Sequence, residues 1–456
     1  MKHFRRLLSL LLCAVLLLSL APAAFAEDGA GPFWIRVQVD GLERETAVHA
    51  YDATYPYNSY ISLTDLSAAL KSTSKRFHLK YSYTEADGSV FNIVTGEATS
   101  LGPNEAHPEA THAGPMELSL RRNRLFVDGK ERRYYTARVN QDLYMSLVDV
   151  QLMLDLTMEY TEAGVLSVYP DRPFAPDLMA LQADGYFDVF NGVLIGDADS
   201  GELYFSYAAT RPAPIASLSK LMSYLLIVEA IHEKKISYQD KVPISKAAEI
   251  LSKSADGMVE LHAGTTVPCH ELLEAMLLAS SNECCLALAE HVSGSEEAFV
   301  ASMNQRAREL GLRSARFYTP HGLPSYPESG LPIKRQNVMS PTDLFTLSAY
   351  ILENYPEITD VTGKLYGNMP TLNYTTANSN PLVFNLEGVT GLKTGSTTRA
   401  GYCLVVSLPL KSGDKTHTLI MVLLGSEMAD VRGQAAEILL RSARDHYLAE
   451  GFADAA

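Results

Sequence analysis

Ile215-Ala216-Ser217-Leu218-Ser219-Lys220-Leu221-Met222 opens the most hydrophobic run of the chain beyond its first residues. Leu218, Leu221, Met222, Leu225, Leu226, Val228 and Ile231 cover much of the circumference of the helix that this run predicts, and such a helix belongs in a core. Its first turn nevertheless carries a hydroxyl, Ser217, and an amine, Lys220, at a spacing that brings both to one face. The helix N-terminus favours negative charge developing on Ser217 and disfavours the protonated form of Lys220, and burial lowers the lysine pKa further. A neutral lysine beside a serine is a workable base and nucleophile. Alone the pattern decides nothing, because Ser72-Thr73-Ser74-Lys75 matches it in a plain polar segment.

Two further motifs lie downstream. Ser280-Ser281-Asn282 interrupts two apolar helical runs, Leu272 to Leu278 and Cys284 to Ala289, where polar side chains must pair or face a cleft. Ser302-Met303-Asn304 repeats the spacing, but on the polar side of a surface helix opened by Ser295 and ended by Gly311. Lys393-Thr394-Gly395 follows the strand-like Gly388 to Leu392 and precedes Gly401 to Val406. A cation, a hydroxyl and a bare backbone in consecutive strand positions suit a carboxylate and an extended peptide pairing along a sheet edge. Its imitation, Lys411-Ser412-Gly413, is followed by Asp414 and Lys415 and reads as a solvated hairpin turn.

Composition narrows the alternatives. The chain has 456 residues, 47% of them apolar, which predicts two to four domains with real cores. A formal net charge of −15, from 38 basic and 53 acidic residues, argues against nucleic acid as a partner. No zinc-type Cys/His spacing occurs. Lys2, Arg5 and Arg6, the leucine-dominated stretch Leu7 to Leu20, and the small residues of Ala24-Phe25-Ala26 predict a signal peptide over residues 1–26, with the mature chain starting at Glu27. An uncleaved anchor is the alternative, and either places the rest outside the cytoplasm. Cys269, Cys284, Cys285 and Cys403 are expected to be small buried hydrophobes, with one disulfide as the alternative.

Residues 27–170 contain an internal repeat. Val39-Asp40-Gly41-Leu42-Glu43-Arg44 recurs as Val127-Asp128-Gly129-Lys130-Glu131-Arg132, and Tyr60-Ile61-Ser62-Leu63-Thr64-Asp65-Leu66 recurs as Tyr144-Met145-Ser146-Leu147-Val148-Asp149-Val150. Each copy predicts a strand, an Asp-Gly turn, another strand, a short helix opened near Thr64 or Ser146, and a closing hairpin such as Leu166 to Tyr169. His107 and His112, in the stretch Gly102 to Pro115, are a candidate two-histidine metal pair set against a solvated linker. The repeat resembles the small N-terminal-like domain named after copper amine oxidases, a likeness that implies no catalysis and suits a spacer or a docking unit. Three prolines between Pro170 and Pro176 predict a linker over residues 171–176, and residues 177–456 predict a second domain of mixed helix and sheet.

The order of the three motifs is what no decoy reproduces: S-x-x-K opening a buried helix, S-x-N between helices, and K-T-G entering a strand, a set shared by penicillin-binding proteins and class A β-lactamases. Together with Leu277-Leu278-Ala279-Ser280-Ser281-Asn282-Glu283, Pro320-His321-Gly322-Leu323 and Gly391 to Tyr402, it resembles the low-molecular-mass D-alanyl-D-alanine carboxypeptidases over roughly Phe187 to Tyr447. The resemblance implies an α+β penicillin-binding, transpeptidase/β-lactamase-like domain with an antiparallel sheet and a helical subdomain, acting without metal or cofactor. It implies Ser217 as nucleophile, Lys220 as its base and Ser280 as proton relay. It implies an oxyanion held by the N–H groups of Ser217 and Ser396, a substrate amide on Asn282, and positive potential from Lys393 beside Gly395. Thr394 with Arg432 would grip a terminal carboxylate, although an arginine near a helix start is more often surface charge; His321 is expected to be structural.

Partners implied are peptidoglycan stem peptides and β-lactams as covalent inhibitors, with peripheral association to membrane or wall. Ser219 and Ser281 stand where many relatives have threonine and glycine. Many relatives also continue into a second β domain and a C-terminal amphipathic anchor, neither of which is expected after the helix Gln434 to Tyr447. The rivals are a serine β-lactamase, for which Glu353 or Glu357 would be the deacylating carboxylate, and a non-catalytic wall-binding protein on the same fold.

Overall fold

The computed structural model describes residues 33–44, 47–52, 59–85, 88–100, 119–139, 141–160, 165–325, 335–412 and 415–452. The leader-like residues 1–26 and the histidines at 107 and 112 lie outside them. The chain divides into two compact units, Met1–Val189 and Phe190–Ala456, so the division falls later than the proline-rich stretch, and the helix Leu178–Ala183 goes with the first unit. Among the described residues no helix is long and apolar enough to cross a membrane.

The first unit is built on the repeat. In each copy a strand ends in an Asp-Gly turn whose two residues both have positive φ, Asp40 and Gly41 at 51° and 78°, Asp128 and Gly129 at 48° and 77°. Asp tolerates the left-handed region and Gly occupies it at no steric cost, as a tight hairpin of this kind requires. Each copy then places a short helix behind a serine cap: Ser62 Oγ accepts from Asp65 N before Leu63–Ala69, and Ser146 Oγ accepts from Asp149 N before Leu147–Leu154, both at 3.0 Å. The cap of the first copy is therefore Ser62 and not Thr64, whose hydroxyl instead donates to Asp142 at 2.6 Å. The copies exchange their last strands: Val165–Tyr169 pairs parallel with Phe33–Val39, and Gly88–Thr95 pairs parallel with Arg124–Val127. Ile35, Val37, Val39, Leu66, Phe77, Phe91, Leu143, Leu154 and Leu166 close a single core over both copies. The decoy Ser72 to Lys75 lies in turns here, and Lys75 Nζ is spent on the Leu154 carbonyl at 2.8 Å.

The second unit centres on a five-stranded sheet in the order Leu203–Tyr207, Gly192–Asp197, Lys415–Ser426, Gly401–Ser412, Gly391–Thr397, with every neighbour antiparallel. The strand Gly391–Thr397, which carries the third motif, is an edge. Helices Ala429–Glu450 and Pro341–Asn354 pack on the central strands. Lys220–His232, Cys269–Glu274, Asn282–Ser293 and Glu296–Glu309 form the helical part and share one apolar core with the sheet. This is the mixed helix and antiparallel-sheet architecture expected of a penicillin-binding domain. Cys269, Cys284, Cys285 and Cys403 are buried and free, as small hydrophobes.

Leu225, in the helix Lys220–His232, is wholly buried in this core. Leu225→Ala is expected to lower unfolding free energy by about 2–5 kcal/mol in urea denaturation, and a cost below ~1 kcal/mol would contradict the burial.

Candidate active site

Ser217 and Lys220 meet through a bent entry into the core helix. A tight 3-10 turn, Ala216–Ser219, leads into Lys220–His232, and Ala216 is held at a φ of 49° just before Ser217. That conformation is unfavourable for a residue with a Cβ and persists only where its surroundings fix it. Asn337 does so: its Nδ2 donates to Ser219 Oγ at 2.8 Å, Ser219 Oγ donates to the Ala216 carbonyl at 2.7 Å, and its main-chain carbonyl accepts from Ile215 N at 3.1 Å. Gly322 lies against the same carbonyl, since a Cβ there would come within 2.0 Å of Ala216 O. Ser217 remains half-buried while Lys220 is wholly buried.

The Lys220 amine touches three oxygens, Ser217 Oγ, Asn282 Oδ1 and the His321 carbonyl, each at 2.8 Å. Burial draws its pKa down from 10.5 to about 8, against the opposing pull of Cys285, Glu283 and Cys284. A neutral amine has two N–H bonds and one lone pair. Asn282 Oδ1 and the His321 carbonyl can only accept, so they take the two N–H bonds and leave the lone pair for the Ser217 hydroxyl proton. The His321 ring accepts at Nδ1 from Leu323 N at 3.2 Å within its own turn and turns Nε2 towards Glu296 Oε1 at 3.6 Å, and burial with the nearby Lys220 pushes its pKa down to about 3. The His321 carbonyl, and not its ring, touches Lys220.

The second motif sits where the helical run Ala275–Ala279 ends on Ser280 in a left-handed conformation, φ 64° and ψ 27°. Ser281 then caps the helix Asn282–Ser293, accepting from Cys284 N at 3.1 Å. This leaves Ser280 half-buried and Ser281 and Asn282 buried and paired, the Asn282 amide donating to the Asp256 carbonyl at 2.9 Å. The imitation is spent locally: Asn304 bonds to Val300 and Phe317, and Ser302 to Ala298.

The edge strand Gly391–Thr397 runs its backbone directly along the Ser217 turn. A Cβ on Gly395 would sit 3.0 Å from both the Ile215 carbonyl and the Ser217 nitrogen, so glycine sets this approach. Lys393 is buried, donates to the Thr394 carbonyl at 2.9 Å, and has its pKa held well below the usual lysine range by burial, then by Lys220 and Arg432. Thr394 Oγ1 lies 2.7 Å from Ser379 Oγ, and Ser396 is exposed at the strand end.

Arg432, expected to grip a carboxylate with Thr394, is not the surface charge that a helix start more often carries. It is buried, its Nη1 donates to the Cys403 carbonyl at 3.5 Å, and its guanidinium stands 5.8 Å from the centre of the Tyr402 ring. Cys403 and Tyr402 pair in register with Gly395 and Ser396, which puts Arg432 beside the third motif. Ser217, Lys220 and Asn282 are thus joined by hydrogen bonds, and Lys393 to Gly395 lie alongside. Asn337 and Ser379 have no local pattern to mark them; Gly322 and Glu283 stand inside recognisable motifs with no sign of the contacts they make. Among the described residues one group, Asp197, Asp199 and His417, has metal-ligand proximity, but Asp197 Oδ2 is already engaged by Ser200 Oγ and His417 Nδ1.

The sequence profile described as D-alanyl-D-alanine carboxypeptidase matches residues 190–427, over half of the chain. The chain belongs to the D-alanyl-D-alanine carboxypeptidase family. D-alanyl-D-alanine carboxypeptidase DacF of Bacillus subtilis (strain 168) is 34% identical over 243 residues, covering 51% of this chain and 59% of the relative. D-alanyl-D-alanine carboxypeptidase DacA of Haemophilus influenzae is 29% identical over 228 residues, covering 49% and 55%. The chain therefore spans less than two thirds of either curated relative. The crystal structure of a peptidoglycan synthesis regulatory factor (PBP3) from Streptococcus pneumoniae superposes with a TM-score of 0.51 at 26% identity, over 57% of this chain and 73% of that one.

The Gly322 contact yields a test. Gly322 has a φ of 91° and no room for a methyl group, so Gly322→Ala must displace the Ala216 carbonyl. The variant is expected to lose at least about tenfold in the rate at which a penicillin acylates the protein, for the ~1 Å displacement of a reacting group that this forces. An unchanged acylation rate would contradict the packing.

Proposed function

We propose that the protein is a serine-type D-alanyl-D-alanine carboxypeptidase that removes the terminal D-alanine from peptidoglycan stem peptides. The observation that carries this is the Lys220 amine, buried, with two fixed acceptors and Ser217 Oγ as its third contact. In this reading Ser217 Oγ attacks the carbonyl of the penultimate D-alanine while its proton passes to Lys220, and the N–H groups of Ser217 and Ser396 receive the oxyanion. The C–N bond breaks as Ser280 passes a proton to the departing amine, and water then releases the acyl group from Ser217. Asn282 has one amide N–H left for the substrate backbone once Asp256 has taken the other. Thr394 and Arg432 hold the terminal carboxylate, whose arrival also restores charge to Lys393.

Membership of the family and the intact site support this over a non-catalytic binding protein. The β-lactamase rival is disfavoured because Glu357 is tied to His232 at 2.7 Å and Glu353 is exposed. β-Lactams act in this reading as covalent inhibitors on Ser217. Residues 1–26 act as a signal peptide, the mature chain works outside the cytoplasm in association with wall or membrane, and the first unit is a docking module like the copper amine oxidase N-terminal-like domain. The acidic balance, with a net charge of −15, supports a partner other than nucleic acid.

Ser217→Ala should abolish both D-alanine release from a stem pentapeptide and labelling by a fluorescent penicillin, a loss of at least ~10³-fold. Release of D-alanine that survives in this variant would exclude Ser217 as the nucleophile.

A further inference from the structure

Both residues that open the helix Asn282–Ser293 reach back to one short stretch of chain, Asp256 to Val259. Asn282 Nδ2 donates to the Asp256 carbonyl at 2.9 Å. Glu283 Oε1 accepts from the Met258 N–H at 2.9 Å and from the Val259 N–H. Glu283 is wholly buried, and its other oxygen, Oε2, has no hydrogen-bond partner among the described residues. A carboxylate placed in the interior is costly where an apolar side chain would pack without that cost. Its two main-chain bonds give it a task, because the stretch it holds is otherwise exposed at Asp256 and Met258.

We infer that Glu283 is a positioning residue for the reaction: by clamping Met258 and Val259 it keeps the Asp256 carbonyl on Asn282, and so fixes which end of the Asn282 amide faces Lys220. This rests on the reading of Lys220 as the base. An amide has an accepting oxygen at one end and a donating NH2 at the other. With Asp256 holding the NH2, the oxygen must face Lys220 and take one of its N–H bonds. If the stretch left, the amide would be free to turn over and set NH2 against the amine. Lys220 would then answer with its lone pair, and Ser217 would meet an N–H instead of a proton acceptor. Glu283 also acts on Lys220 through its charge; Cys284, Cys285 and Lys393 stand near the same amine, and the His321 ring beside it is neutral near pH 8, so clamp and charge must be separated.

Two variants separate them. Glu283→Asp keeps the charge and loses the reach; Glu283→Gln keeps the reach and loses the charge. For the wild type and both variants, the rate of Ser217 acylation by a penicillin is measured from about pH 6 to about pH 10, together with amide hydrogen exchange at Met258 and Val259. Exchange at Val405 and Val422, in the central strands, reports folding in the same experiment. In Glu283→Asp the high-pH plateau should fall by about tenfold to a hundredfold, with faster exchange at both amides. In Glu283→Gln most of the plateau should return and both amides should stay protected. The acid limb of the profile should move to lower pH there, because a negative charge that favours the ammonium form is gone.

A folded Glu283→Asp with wild-type exchange and plateau would overturn the inference, as would a folded Glu283→Gln that loses as much rate as the aspartate. Should Glu283→Asp fail to fold, the glutamine variant decides alone by the same criteria. A wild-type protein that no penicillin acylates would instead refute the functional reading, and exchange at Met258 and Val259 would still decide whether Glu283 holds the stretch.

Discussion

Removing one amine from water is the condition on which the site depends. Lys220 lies at the start of a core helix with no exposed surface, and burial is the largest cause of its lowered pKa. An ordinary lysine is an ammonium with three N–H bonds and nothing to accept a proton. Desolvation supplies the lone pair, and the fixed acceptors at Asn282 and His321 aim it. Much of the second unit can be understood as what keeps that amine dry and its acceptors in place: the apolar helices around Lys220–His232, the capped helix that begins at Asn282, and the Pro320 to Leu323 turn.

The sheet has a different task. Its edge strand brings Gly395 against the Ser217 backbone closely enough that a side chain there would press on the Ile215 carbonyl. The strand also brings a second buried lysine, Lys393, into the field of the first, and after burial Lys220 and Arg432 lower its tendency to hold a proton. A carboxylate arriving there would relieve that repulsion. Strain at Ala216 and Ser280, both in the left-handed region, places the two serines at the ends of their turns, and the buried Asn337 holds the first of these bends.

Features set by short-range pattern are legible in the sequence. An apolar run with a serine and a lysine in its first turn predicts a core helix bearing both, and the repeated Asp-Gly pairs predict the hairpins of the first unit. The motif order points to the site although each motif has an imitation. Contacts made by single polar residues far apart in the chain leave no such trace. Asn337 has no periodicity or spacing to mark it, and Glu283, although it ends the stretch that carries the second motif, gives no sign of the chain it holds; the importance of both comes from burial decided by the packed fold. Arg432 is named by the resemblance and not by its position, because a helix start is ordinarily exposed, whereas this one packs against the strands Gly401–Ser412 and Lys415–Ser426. The exchange of last strands between the two repeats is also out of reach, since equivalent strands carry equivalent sequences and nothing local says which copy each will join.

The central claim, that the amine beside Ser217 is held partly unprotonated by its surroundings, is tested most directly by titrating it in the resting protein. With lysines isotopically labelled at the side chain and Lys220 assigned by substitution, its NMR signal is expected to titrate near pH 8, ammonium below and amine above. A titration at the ordinary lysine value of 10.5 would contradict the account.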